Sequence, residues 1–290
     1  MKIYDFDTED EMAKIESSLL NVELLKNSFA DNTSKYRKLS QDINLDFRVL
    51  SNCIESYEMA LLIGVYTYAE QLVKNFYYEL LEKDRTNNIS INKFVDTKLD
   101  VEKFSPNVKY GELEKSIKKE LVPGFEFILK QERSEISKYN DIIKDRHRYA
   151  HRGIYQSDIE QYKDVINAEK YITSELLMIT LEGVDYRIKY QNEWKEIISL
   201  SKVCYRLYTQ FKDNNNRELK NNLIIKIKEL RNKSKQFCTK YCTYIDNCEL
   251  LKDVKIQLQS ITAMDLRKSS SFSLLDDLNR AISENKMLKC

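Results

Sequence analysis

"SNCIESYEMALLIGVYTYAEQLVKNFYYELLEK" occupies residues 51–83. Its apolar side chains, among them Ile54, Tyr57, Leu61, Leu62, Val65, Tyr68, Ala69, Leu72, Val73, Phe76 and Leu80, recur at steps of three and four. That period belongs to a helix with one face deeply buried. Gly64 and Ala69 lie within the stripe and predict a close helix approach there.

The rest of the chain reads the same way. Its 290 residues include only five Gly and two Pro, Pro106 and Pro123, and neither type occurs after Gly183. Sheets joined by tight turns need more of both, so the expected class is all-α. A helix is predicted over 8–30, capped by Thr8 or Asp10. The polar stretch 84–106 reads as a loop, 107–120 as a short helix, and 134–152 as a helix ended by Gly153. Ser157 is expected to cap the next helix, which closes at Gly183. Later helices are expected near 187–211, 217–246, 249–263 and 273–288, with loops near 212–218 and 267–273 and a possible short strand at 184–191. The expected division is a helical bundle over 1–183 and a helical extension over 184–290.

Charge is unevenly spread. Up to Gly183 there are 26 Lys and Arg against 33 Asp and Glu; afterwards there are 21 against 13. A basic C-terminal part suits an anionic partner, either nucleic acid or an acidic surface of the same chain or of a second copy. Residues 217–245 hold eight Lys and Arg against two Glu, with Phe237, Tyr241 and Tyr244. That composition fits either a solvated helix face or an RNA-tracking one. No apolar run is long enough to cross a bilayer, the first residues are acidic rather than signal-like, and six cysteines in a chain of this size do not form a disulfide framework. A cytoplasmic protein without a membrane partner is expected. Cys238, Cys242 and Cys248 are expected as buried thiols rather than metal ligands, since no His lies near them.

Both histidines of the chain sit in "DRHRYAHRG", residues 145–153, with Arg146, Arg148 and Arg152. On a helix with Arg146 at zero, His147 falls at ~100°, His151 at ~140°, Arg148 at ~200° and Arg152 at ~240°. The imidazoles are i, i+4 neighbours flanked by guanidiniums, with Tyr149 and Ala150 expected toward the core. Three adjacent arginines disfavour a divalent cation, so no metal and no cofactor is expected. Phosphodiester chemistry fits better: histidine transfers protons near neutral pH, and arginine matches phosphate oxygens in pairs. A structural cluster, with arginines paired to acids and His at the helix dipole, is the plain alternative.

Arg146-His147-x-x-x-His151 resembles the motif of the HEPN superfamily (higher eukaryotes and prokaryotes nucleotide-binding domain), in which four to six residues, the first usually polar, separate Arg from His. Ala150 and Gly153 echo small residues common in that motif, and "LLIGVYTYAEQLVKNFYYELL" resembles the long early helix of HEPN bundles. The resemblance covers roughly 50–182. It implies a metal-independent endoribonuclease, of toxin or antiphage (abortive-infection) type, whose two motif helices meet across a homodimer axis and double every group in one cleft. It also implies roles. Arg146 stabilises the scissile phosphate, His151 moves the proton or orients the 2′-OH, His147 assists, and Arg148 and Arg152 contact the RNA backbone. Where relatives modified by a nucleotidyltransferase carry Tyr, this chain has Gly153. An antitoxin protein, an RNA or a phage-sensing subunit is then the expected restraint. A non-cleaving HEPN-type module that binds RNA or nucleotide is the alternative function, and a helical adaptor a third.

Overall fold

The first residues form the one piece of sheet found among the described residues. In this computed structural model, which describes residues 1–83, 87–99, 103–214 and 216–283, β1 (Lys2–Ile3) pairs antiparallel with β2 (Phe6–Asp7). All other regular structure among the described residues is helical, so the fold is all-α. Asp7, not Thr8 or Asp10, caps α1 (Thr8–Asp31), accepting from the N–H groups of Glu9 and Asp10. A carboxylate just outside the first turn serves both the orphan donors and the helix dipole.

α1 buries Met12, Ile15, Leu19 and Val22 and packs on α3 (Phe47–Lys83). Between them lies α2 (Thr33–Asp42), where Ser40 alone is buried. In α3 the sequence stripe is buried from Leu61 to Phe76, each large apolar side chain contributing about 1.5–3 kcal/mol. Two details differ from expectation. Tyr57 is exposed, and a Cβ at Gly64 would meet nothing within 4 Å, so no backbone approaches there.

The stretch expected as a loop carries α4 (Ile89–Lys98), started by the Asn88 side chain. The rest of that expectation, at 84–86 and 100–102, lies outside the described residues. α5 (Tyr110–Glu120) and α6 (Ser134–Arg152) follow. Gly153 ends α6 at φ +66°, its N–H bonded to the Tyr149 carbonyl at 2.8 Å. Ser157 caps nothing: its hydroxyl donates to Asp145, and a 3₁₀ turn (Ile159–Gln161) leads into α7 (Tyr162–Glu182). The possible strand at 184–191 is the opening of α8 (Val184–Asn214). α9 (Arg217–Lys240), α10 (Cys242–Asp246), α11 (Glu249–Ala263) and α12 (Leu274–Ser283) complete the chain. Residue 215 in the expected loop, and 284–290 with Cys290, lie outside the described residues. No helix among the described residues is long and apolar enough to cross a membrane.

The chain divides into two compact units, Met1–Lys109 with Lys138–Glu169, and Tyr110–Ser137 with Lys170–Cys290. These are not the contiguous parts 1–183 and 184–290 expected from the sequence. The reason lies in the apolar segment after α5. Phe127 stacks on Tyr110 at 4.5 Å, and the Tyr171 hydroxyl accepts from the N–H groups of Ile128 and Leu129. Arg187, fully buried, donates to Glu175 at 2.6 Å and to the Glu126 carbonyl at 2.8 Å, and lies 4.8 Å from the Phe125 ring centroid. These contacts give residues 110–137 and the second half of α7 to the same unit as α8.

Candidate functional site

α6 is anchored on its inner face. Ile136, Tyr139, Ile142 and Ile143 are all buried, as their spacing requires, and the Tyr139 hydroxyl donates to the Val108 carbonyl at 2.5 Å. The last two turns leave that core and carry "DRHRYAHR". These turns, and the residues of α3 and the 103–109 segment around them, belong to the first compact unit.

Tyr66 of α3, 5% exposed, is the floor of the site. The Arg146 guanidinium sits 4.2 Å from its ring centroid, and the His147 imidazole meets it edge-on at 5.7 Å. A guanidinium over an aromatic face is held electrostatically while its N–H groups remain free to point elsewhere. Near Tyr66 runs a polar chain: Ser105 donates to Glu70 at 2.9 Å, and Lys74 lies 3.7 Å from Glu70. Burial, and then the Glu70 charge, push the Tyr66 phenol up, while Arg146 opposes them.

His147 is itself exposed at the surface, but partial burial lowers its pKa from 6.5, and the charges of Arg146, His151 and Lys109 lower it further. It is therefore a proton acceptor over most of the neutral range. His151 and Arg152, in the final turn, are exposed and make no hydrogen bond or ion pair. The Arg152 charge suits the negative end of the helix dipole. Ala150 is exposed rather than turned to the core, and Tyr149 is half-buried against Tyr155.

Arg148 has a different environment. It donates to Asp145 at 3.0 Å and to the Gln156 side chain at 3.0 Å. Asp145, 3% exposed, also accepts from the Gln156 backbone N–H at 3.1 Å and from the Ser157 hydroxyl. One carboxylate thus folds the segment after Gly153 back against α6. Tyr155 completes the clasp through its hydroxyl bond to Glu58 at 3.0 Å; burial pushes its phenol up to about 12.

The structure therefore brings Arg146 and His147 together on Tyr66, sets His151 and Arg152 one turn beyond, and ties Arg148 to Asp145. Sequence reasoning missed Tyr66, Lys109 and the clasp of Asp145. Only Tyr66 had a signal, since it stands four residues after Leu62 on the apolar stripe.

Among the described residues no group of three or more His, Cys, Asp and Glu side chains could hold a metal ion. Of the three cysteines expected to be buried, Cys238 and Cys242 are not. Cys204 and Cys248 are buried, their thiols pushed up by burial to about 12; Cys238 is half-buried, and Cys53 and Cys242 are exposed. Comparison with known proteins finds no matching family model, no matching curated protein and no matching solved structure.

Proposed function

We propose that the chain is a metal-independent endoribonuclease of HEPN type, acting as a toxin or antiphage effector. The observation that carries this reading is the pairing of an arginine fixed on a buried aromatic ring with two solvent-facing imidazoles on consecutive turns of one helix end. RNA cleavage by its own 2′-OH asks for those groups. A base takes the 2′ proton as that oxygen attacks phosphorus, a cation offsets charge on the phosphorane, and an acid protonates the leaving 5′ oxygen. The products carry a 2′,3′-cyclic phosphate and a 5′-OH.

Arg146 is the phosphate-stabilising group: its position over Tyr66 leaves its N–H fork available. His151, free of partners, is the principal proton-transfer residue. His147 assists, its lowered pKa keeping it neutral near pH 7. Arg152 supplies a backbone contact. Arg148 does so only if it exchanges its bond to Asp145 for phosphate, so the RNA-binding role expected of it is the weaker of the two. Two imidazoles per chain are few for this reaction, and a two-fold homodimer would double them in one cleft.

The test is RNA cleavage in EDTA by wild type, Arg146→Ala and His151→Ala. Cleavage that survives EDTA and disappears in both variants is the expected result. Loss on chelation, or cleavage by both variants, overturns the proposal. RNA binding through the same residues without any cleavage would favour the non-catalytic module instead. Light scattering that finds only monomer removes the composite site.

A further inference from the structure

The second compact unit contains a cleft with no part in the site above. α9 packs between α8 and α11, and its two flanks differ in charge. On the flank toward α8, Lys233 pairs with Glu196 and Lys240 with Glu193, both at 2.7 Å. On the flank toward α11 lies an open cleft of about 740 Å³, lined by Lys228, Arg231, Ser234, Lys235, Lys255 and Gln259 among others. No carboxylate lines it. Lys255 has a partner in Asp246 at 2.5 Å, whereas Lys228, Arg231 and Lys235 form no ion pair. Their spacing of three and four residues puts all three on one side of α9, over about 10 Å of helix axis.

A second observation points to a ligand. Ser234 is fully buried, lines the same cleft, and its hydroxyl has no hydrogen-bond partner. A serine inside a helix ordinarily donates to the carbonyl four residues back, as Ser201 does to Ile197 at 2.8 Å. A buried hydroxyl without a partner is costly, and an acceptor supplied by a ligand relieves that cost.

We infer that this cleft binds the phosphodiester backbone of a single RNA strand, with Lys228, Arg231 and Lys235 on successive phosphates and the Ser234 hydroxyl donating to a phosphate oxygen. Three cations strung along an axis fit a chain of charges better than one compact anion. Apart from Cys238 and Leu266, the remaining lining is Asn, Gln and Thr, side chains that commonly contact phosphate and sugar. It has no aromatic side chain and one leucine, Leu266, so it lacks the apolar anchors of a protein interface and the stacking platforms that read bases. Binding is therefore independent of base sequence. The inference rests on the second unit alone and holds whether or not the histidine site cleaves.

The probe is a fluorescent oligouridylate of about twelve nucleotides with 2′-O-methyl sugars, which supply no 2′-OH for attack. Its anisotropy is followed with the full chain across a salt series. Wild type is expected to bind with a steep salt dependence. The triple variant Lys228→Ala, Arg231→Ala, Lys235→Ala lowers the slope of log K against log salt by about 2, at roughly 0.7 per phosphate contact. Lys233→Ala, on the ion-paired flank, leaves the slope unchanged. Ser234→Ala weakens binding about tenfold without lowering thermal stability, because it removes a donor to a charged oxygen and no internal bond. The inference is overturned if the triple variant keeps the wild-type slope, or if Ser234→Ala binds as wild type does. Displacement of the strand by pyrophosphate or by polyglutamate at equal charge concentration also overturns it, in favour of a small anion or an acidic protein. Because no arm measures cleavage, failure here leaves the ribonuclease reading untouched.

Discussion

Tyr66→Leu isolates the contribution of the aromatic floor. The variant keeps a buried apolar side chain in α3 but removes the ring under Arg146. The guanidinium lies 4.2 Å from the ring centroid and Tyr66 is 5% exposed, which places the contact at the desolvated end of the cation–π range, about 1–2 kcal/mol. If that energy fixes Arg146 where phosphorane charge develops, its loss appears in the transition state. At about 1.4 kcal/mol per factor of ten, kcat/KM falls roughly five- to thirtyfold. Tyr66→Phe keeps the ring, loses only the phenol hydroxyl, and is expected to stay within about threefold of wild type. Initial rates of RNA cleavage give the first readout. Imidazole NMR gives a second that needs no activity, since the chain has two histidines. The His147 resonance moves when the ring 5.7 Å away is removed, and the His151 resonance stays. Equal losses in the Leu and Phe variants refute the reasoning, because the hydroxyl and not the ring would then matter. So does wild-type cleavage by Tyr66→Leu when His147 has moved.

Asp145→Ala removes the acceptor of three hydrogen bonds and is expected to cost about 2–4 kcal/mol, read by urea unfolding, with faster proteolysis of the segment after Gly153. His147 sets a pH dependence. Its folded pKa lies below 6.5, so in the window between the two values the unfolded chain binds more protons, and stability rises with pH until the unfolded value is passed. His147→Gln abolishes that rise in a pH series of urea melts, and Arg146→Gln raises the His147 midpoint by NMR. Arg187→Ala leaves the Glu175 carboxylate buried without its cation and is expected to cost about 3–5 kcal/mol. Trp194, the single tryptophan and 2% exposed, reports this by fluorescence from the second unit.

Where burial is one-sided, the sequence foretold the helices. α1, α3 and α6 carry apolar side chains at steps of three and four, and Gly153 and Gly183 end their helices with positive φ. α2 and α4 escaped because they bury almost nothing: Ser40 in one and no residue in the other. Without a buried stripe there is no period to read, and only the Asn88 cap hinted at α4. The hairpin strands are two residues each, too short for alternation to show. The site was half legible. The i, i+4 placement of His147 and His151 follows from helix geometry alone. That Arg146 rests on a ring eighty positions upstream does not, nor that Arg148 is spoken for by Asp145. Both depend on tertiary packing, as does the interleaving of the two units, which Phe125 and Phe127 decide from within the stretch between the helices expected over 107–120 and 134–152.

That interleaving bears on how the chain is made. Emerging from the ribosome, residues 110–137 appear before the first unit has received Lys138–Glu169, yet they belong with helices synthesised later. For that interval Phe125, Phe127 and their neighbours have no permanent cover, which is where nascent-chain chaperones would engage. No single stop codon frees either unit whole. One placed after Glu169 leaves the 110–137 excursion stranded, and one placed before Lys138 deprives the first unit of Arg146 and both histidines. Separating the units requires excising 110–137 and rejoining the flanks, a surgical splice rather than a truncation.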